Sequence, residues 1–496
     1  MSYYFISIGG SGAKVMESLT HLCAAGLMPN KEKQSDLYVM AIDPDIGNGN
    51  LKRSSAALNC LNDFQSFETG RGTSLFKTNV KLSCPFIWSP TESDMNLDDI
   101  MSYQAYRGTP IGNLYEVLYT QEERSTMLNE GFRGRPAIGA AVMAKKAGLD
   151  KSSSLNIANE QAWDNLLHAI QQDAKNGLQP KIFLAGSVFG GTGAAGVPTV
   201  ARLLRSMLKD YCDRGEARIG GALILPFFSF NPTEQDKAAA GMYASYENFL
   251  TNTKAALKYY AMKDSGYDAM YFIGDNQLTA VEKFSIGAAS QNNAAHLVDF
   301  YGALAALDFY SNKTNSGQEC SYISRMREDS FCWNDLPDIK MDDGMEVRVK
   351  DALAQFARFI FAYMHLVKPV LSDLATGKLS DYKYPWFRDF LAGIPIDTSE
   401  VRSFEAYAES FAVWLDQLEH SGNNRRVELI NPNIFASQPA RLQSPEQFAK
   451  LAVDEDSKVT MTELWHRLCE GKLQDEEYTR GFGRFLRLLY DSCAKV

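Results

Sequence analysis

The apolar positions of this chain alternate between short unbroken runs and helical stripes. Lys181 to Leu204, KIFLAGSVFGGTGAAGVPTVARLL, shows both in one stretch. Ile182 to Ala185 is a continuous apolar run and predicts a buried strand. Gly190, Gly191 and Gly193 then cluster around Thr192, and Val197, Val200, Leu203 and Leu204 recur at helical spacing. A strand, a glycine loop and a helix in this order can present backbone N–H groups to a phosphate, with the helix N-terminus adding partial positive charge. Pro198 is expected in the first turn of that helix, where its missing N–H costs nothing. The same glycines also suit a turn that merely joins two elements.

The pattern recurs at the start of the chain. Tyr3 to Ile8 reads as a strand, Gly9-Gly10-Ser11-Gly12 follows, and Val15, Met16, Leu19, Leu22 and Cys23 mark one face of a helix. Leu37 to Ile42 predicts the next strand, ending in Asp43-Pro44-Asp45. Acidic residues there can bond a ribose hydroxyl or help hold a metal beside phosphates, or simply make a turn. Residues 47 to 130 are rich in glycine, serine and asparagine, and Cys84-Pro85 and Ser89-Pro90 break any long element. Loops and short helices over one sheet edge are expected. Arg133 and Arg135 then occupy a glycine-bearing loop before a helix from about Pro136; arginine forks suit phosphate oxygens, and solvated arginines fit the pattern equally.

Ile157 to Ile170 predicts an amphipathic helix with Trp163, Leu166 and Leu167 in the core. Arg218 to Phe228 is an apolar strand, Thr233 to Tyr260 is helical in pattern, and Ala269 to Ile273 is another buried strand. Gln291-Asn292-Asn293 precedes a long helix carrying Leu297, Val298, Tyr301, Leu304, Ala305 and Leu307. Strands alternating with helices over some 300 residues predict an α/β fold, a parallel sheet with helices on both faces, and a ligand at the carboxyl ends of the strands.

At 496 residues the chain allows more than one domain, and a 45% apolar, 22% charged composition is that of a soluble globular protein. The net charge of −10 argues against a broad nucleic-acid-binding surface, so no direct nucleic-acid binding is expected. Eight scattered cysteines without a CxxC pair give neither a zinc site nor a disulfide scaffold, and suit a reducing cytoplasm. His296 and His365 lie in helix-like apolar runs and read as packed residues rather than metal ligands. The opening MSYYFISIGG lacks an export pattern, and no apolar run is long enough for a membrane span. The expectation is a cytoplasmic protein.

The order of these loops resembles the nucleotide-binding domain of the tubulin/FtsZ superfamily, in a divergent, bacterial-type form. FISIGGSG is similar to its first phosphate loop, AIDPD to its second-strand acidic loop, GRPAIG to its ribose-side loop, and FGGTGAAGVP to its glycine-rich signature. ILPF before a long helix resembles its next strand. The resemblance covers about residues 1–310, including a central helix at about 290–310. It implies GTP or GDP with Mg2+, held by Gly9, Gly10, Ser11, Gly12, Asp43, Asp45, Arg133, Arg135, Gly190, Gly191, Thr192 and Gly193. It further implies a base stacked at the start of the central helix, where the amides of Asn292 and Asn293 can read guanine or, alternatively, cap the helix. Three departures stand out. Phe189 replaces a glycine, Ala194 a small hydroxyl residue, and Ala137 an acidic residue, which touches ribose contacts and base choice.

In that family an acidic loop past the central helix completes hydrolysis across a filament interface. No clean match exists here; WNDLPD is nearest, and Asp335 and Asp338 are its catalytic candidates, with a solvated surface loop as the alternative. Residues 311–496 lack the family's strand-rich second domain. Phe356, Phe359, Ile360, Tyr363, Met364 and Val367 form a helical stripe expected to end before Pro369, and Phe404 to Leu418 and Phe485 to Cys493 also predict helices. A mostly helical domain packed on the central helix is expected, with a small sheet as an option and an assembly surface as its role. The function implied is a GTP-binding protein, and a GTPase if the acidic loop serves, that assembles head-to-tail into a prokaryotic cytoskeletal filament. The alternatives are a non-polymerising, nucleotide-bound scaffold within a larger complex, such as one in phage defence, and a Rossmann dehydrogenase on GGSG with Asp43. Partners are therefore the chain itself or other protein subunits.

Overall fold

The structure is a computed structural model. It describes residues 2–29, 35–69, 78–91, 95–129, 131–132, 134–146, 157–208, 217–229, 246–261, 265–275, 279–280, 288–311, 330–340, 346–421, 426–428, 461–470 and 480–494. Arg133 lies outside them, as do residues 233–245 of the long helical pattern, of which Tyr246–Tyr260 is described and helical.

Six parallel strands build the central sheet. They are β1 (Ser2–Ile8), β2 (Ser35–Ile42), β3 (Thr78–Trp88), β4 (Lys181–Ser187), β5 (Arg218–Ile224) and β6 (Ala269–Ile273), in the spatial order β3-β2-β1-β4-β5-β6. The helices that matter below are α1 (Gly9–Ala24), α2 (Gly49–Thr69), α3 (Pro110–Leu118), α4 (Gln121–Ser125), α5 (Pro136–Lys146), α6 (Ile157–Lys175) and α7 (Gly191–Leu208). After them come α8 (Leu297–Ser311), α9 (Val349–Ala362) and α10 (Ser399–Glu419).

Every residue of β1 and of β4 is buried, as a strand covered by helices on both faces must be. These two strands pair directly, with Tyr3 opposite Lys181 and Ser7 opposite Ala185. The strand order reverses between them, which is where an open α/β sheet leaves a crevice at its carboxyl edge. α1 and α2 pack on one face with α8, while α5 and α7 pack together on the other and α6 covers β3.

Several expectations are corrected. Residues 47–130 hold a 21-residue helix, α2, and the edge strand β3, besides short helices. The buried side of α2 mixes Leu51, Leu58, Leu61 and Phe64 with Ser54 and Gln65, which hides its apolar period. Gln65 is used to bind β3: its amide donates to the Thr78 carbonyl at 2.6 Å and its oxygen accepts the Val80 N–H at 3.0 Å. β3 runs through Cys84-Pro85 because it pairs on one side only, and its register jumps from Leu82 to Ile87 across that point. β6 is the other edge strand, half-exposed rather than buried. Pro198 is not in the first turn of α7 but its eighth residue, so Ala194 loses its intrahelical donor.

Among the described residues the region after α8 is mostly helical, with two small strand pairs: Ser330–Cys332 with Arg426–Glu428, and Asp338–Lys340 with Glu346–Arg348. The aromatic stripe of α9 does not stop before Pro369. A π-helical turn, Tyr363–Val367, absorbs the irregularity and the helix resumes at Lys368. α10 packs on α1 and α2 as well as on the central helix: Phe404 meets Phe64, Trp414 meets Phe300, and the Trp414 indole donates to Ser18 at 3.1 Å.

His21 is enclosed at this junction by Tyr407, Phe411 and Trp414, with its Nδ1 3.2 Å from the Tyr407 hydroxyl. Burial, with a smaller push from Arg53, lowers its pKa to about 3. Because the folded value lies below the ordinary 6.5, its stabilising share is complete above pH 6.5 and is lost as pH falls toward 3. Urea unfolding should therefore show roughly 2 kcal/mol more loss between pH 7 and 5 in the native protein than in His21→Gln. Equal pH slopes would contradict the burial of a neutral imidazole.

Candidate functional site

Both glycine turns leave the carboxyl edge of the sheet from neighbouring central strands. α1 begins at Gly9 with no intervening loop, and its N-terminus has no side-chain cap. α7 begins at Gly191, with three residues between it and the end of β4. Two helix N-termini, each with unsatisfied N–H groups and partial positive charge, thus open beside one another.

The turns touch. A Cβ on Gly9, whose φ of +72° already favours glycine, would lie 3.2 Å from Thr192 Cβ and 3.3 Å from the Gly193 nitrogen. Gly12 passes so close to β4 that a Cβ there would fall 2.4 Å from the Ala185 carbonyl oxygen. Gly9, Gly12, Thr192 and Gly193 are buried, whereas Gly10, Ser11, Gly190 and Gly191 are half-buried and line the open side. A Cβ on Gly191 would meet the backbone of Gly134 and Phe132 at 2.9 and 3.0 Å, which brings these two residues to the same place.

The loop after β2 closes another side. Asp43 and Asp45 are both buried; Asp45 N–H donates to Asp43 Oδ1 and Gly47 N–H to Asp45 Oδ1, each at 3.1 Å. Burial raises the Asp43 carboxyl to about 8; the Asp45 N–H pulls it down and the Asp45 charge pushes it up. A carboxyl held this way takes up a cation or a hydroxyl donor readily, because either relieves the cost of ionising it. Among the described residues no group of three or more His, Cys, Asp or Glu side chains could hold a metal.

The remaining candidates fall in different places. Arg135 is buried and reaches away to α4 and its end, 3.6 Å from Glu122 and 3.4 Å from Thr126 Oγ1. Asn292 and Asn293 precede α8 without capping it. The Arg53 guanidinium donates to Asn292 Oδ1 and to the Asn293 carbonyl, both at 2.7 Å, and Asn50 exchanges hydrogen bonds with Asn293. The cap role belongs to His296, whose Nδ1 accepts the Val298 N–H at 3.1 Å. Phe189, where the resemblance has a glycine, joins Phe227 and Phe228 in an aromatic cluster that also holds the His296 ring, tilted at 38°, against Phe227. Asp335 Oδ2 accepts the Cys332 N–H at 2.8 Å, and its carbonyl meets the Tyr301 hydroxyl beside the second turn of α8. Asp338 is exposed at the head of its strand.

Sequence reasoning missed the floor of the site. Lys14 Nζ lies 2.7 Å from Asp299 Oδ2, with the two side chains 7% and 0% exposed, and it also faces the Phe227 ring at 5.3 Å. Next to it Arg53 grips Glu17 at 2.9 Å, and Asn48 donates to Gln291 at 2.7 Å beside Gly10. The signal was a stripe of Lys14, Glu17, Ser18 and His21 at i, i+3, i+4 and i+7, a polar face on a helix that had to be buried.

Set against known proteins, a family profile described as tubulin like matches residues 4–271, more than half of the chain and all four loops of this cradle. No curated protein matches the chain.

Asp43 yields a pH prediction. Its folded pKa lies above the ordinary 3.8, so its stabilising share is complete below about pH 4 and is lost as pH rises through 8. Between pH 5 and 8 the Tm of the native protein should fall relative to that of Asp43→Asn by on the order of 3–5 °C. A constant difference would mean that Asp43 is ionised throughout.

Proposed function

Because the chain belongs to the tubulin-like family, we propose that it binds GTP across the two glycine turns and assembles head-to-tail. The observation that supports this reading is the contact of Gly9 with Thr192 and Gly193, which merges two helix N-termini into one anion-attracting concavity. Gly10, Ser11, Gly190 and Gly191 would meet the phosphates. Asp43 and Asp45 would meet a magnesium ion on them or a ribose hydroxyl, and the loop before α8 would border the base. The ion would neutralise phosphate charge. This chain's own part is to supply fixed N–H donors and to exclude water from the buried side.

Hydrolysis in this reading is slow and completed at the subunit interface. Asp338, exposed, is the better placed of the two acidic candidates for a neighbouring subunit to meet, since Asp335 is spent on the Cys332 N–H. A heterologous contact between copies gives filaments unless its rotation closes.

Mass spectrometry of the purified protein should find a guanine nucleotide. Thr192→Val, which keeps the side-chain shape, and Gly191→Val, which forces Phe132 and Gly134 away, should each lose it by about tenfold or more. Unchanged occupancy in both refutes the cradle. Light scattering at micromolar protein should rise with GTP and not with GDP; a flat signal with nucleotide retained would favour a non-polymerising scaffold.

A further inference from the structure

The three amides before α8 have their orientation decided by groups that cannot exchange donor for acceptor. Asn48 sets the first. Its Oδ1 accepts the backbone N–H of Asn50 at 2.9 Å and of Leu51 at 3.4 Å, so its Nδ2 end is the one that reaches Gln291, at 2.7 Å, and Gln291 meets it with its oxygen. Asn50 sets the second. Its Oδ1 accepts the Asn293 N–H at 2.7 Å, so its Nδ2 donates to Asn293 Oδ1 at 3.3 Å. Arg53 sets the third, because a guanidinium only donates and Asn292 Oδ1 takes it at 2.7 Å.

All three side-chain oxygens are thereby spent on α2 and the residue before it. The NH2 groups of Gln291, Asn292 and Asn293 make no hydrogen bond among the described residues. Gln291 and Asn293 are half-buried and Asn292 is exposed, so a ligand can reach them.

The acceptors around them are engaged. The Gln291 carbonyl accepts the Asn50 N–H at 3.0 Å, the Asn293 carbonyl accepts Arg53 at 2.7 Å, and the Ala294 carbonyl accepts Lys14 Nζ at 3.4 Å. Asp299 is enclosed with Lys14, and Glu17 holds Arg53. Toward a ligand these side chains form a row of donors.

The row borders the first glycine turn. A Cβ on Gly10 would lie 3.2 Å from Asn48 Nδ2 and 3.3 Å from Asn50 Nδ2. One on Gly49 would lie 2.9 Å from Asn292 Cβ and 3.1 Å from the Gln291 carbonyl oxygen.

We infer that this loop reads a purine by its acceptor atoms, taking guanine at O6 and N7 and leaving its N1–H and 2-amino group unread. The inference rests on the nucleotide reading above, in which this loop borders the base. Adenine carries a 6-amino donor where guanine has O6, which would set donor against donor. Gln291, Asn292 and Asn293 are the specificity-determining residues. Asn48, Asn50 and Arg53 are positioning residues that keep the three oxygens turned away from the ligand. Hypoxanthine, which keeps O6 and N7 but lacks the 2-amino group, is then accepted as guanine is.

Calorimetric titration of the nucleotide-stripped protein in Mg2+ should find ITP binding within about threefold of GTP, and ATP weaker by about tenfold or more. Asn292→Asp keeps one oxygen on Arg53 and turns the free donor into an acceptor, so it should shift the preference toward ATP by about fivefold or more. Asn48→Asp acts through its neighbour: it would turn the Gln291 amide round, oxygen to the ligand, and shift the ratio the same way. ITP more than tenfold weaker than GTP, ATP equal to GTP in the native protein, or an unchanged ratio in both variants would each overturn this inference and leave the cradle standing. No binding of any of the three triphosphates would remove the cradle reading itself.

Discussion

The direct parallel pairing of β1 with β4 is the constraint from which the site follows. Because Ser7 lies opposite Ala185, the two chains leave the sheet at nearly the same height and must turn within contact distance. Two helix N-termini then point into one space, and their partial positive charges repel unless something negative lies between them. Glycine is required where the turns press together, since a side chain at Gly12 or Gly193 would enter the backbone of β4. The crowding therefore identifies the structural glycines, Gly191 among them where it presses on Phe132 and Gly134, and leaves the half-buried Gly10, Ser11 and Gly190 lining the open side.

Beneath the turns, α1 carries a buried polar face from the cradle to the far end of the sheet. Lys14 pairs with Asp299 of α8, Glu17 with Arg53 of α2, Ser18 with Trp414 and His21 with Tyr407 of α10. Buried pairs such as Lys14–Asp299 add little net stability, but removing one partner strands a charge at a cost of about 3–5 kcal/mol. Their consequence is positional. They fix the start of α8, the loop before it and α10 relative to the glycine turns, so the C-terminal helices are keyed to the candidate site. His21 and Asp43 respond to pH in opposite senses between pH 5 and 7, which lets each be isolated in its own variant.

The sheet, the two glycine turns and the central helix were legible because each rests on a local pattern: an apolar run, a glycine cluster, an i, i+3, i+4 stripe. What was not legible depended on partners distant in sequence. α2 was hidden because polar residues fill core positions: Ser54 donates to the Asn50 carbonyl of its own helix, and Gln65 makes sense only once β3 supplies its hydrogen bonds. Asn292 and Asn293 drew attention as amides near a helix start, yet Arg53 and Asn50 claim them from α2. Phe189 looked like a departure from a glycine pattern; in the fold it packs into an aromatic wall with Phe227 and Phe228. Pro198 was misplaced because the helix begins inside the glycine cluster, not after it, which makes Pro198 an interior residue.

The proposed function depends on the two turns acting on one ligand. Hydrogen–deuterium exchange of the nucleotide-stripped protein, with and without GTP and Mg2+, tests this most directly. The account predicts that residues 9–12 and 190–193 gain protection together, at the same ligand concentration, with 43–50 following. Protection of one turn alone, or confined to a region remote from both, would contradict it.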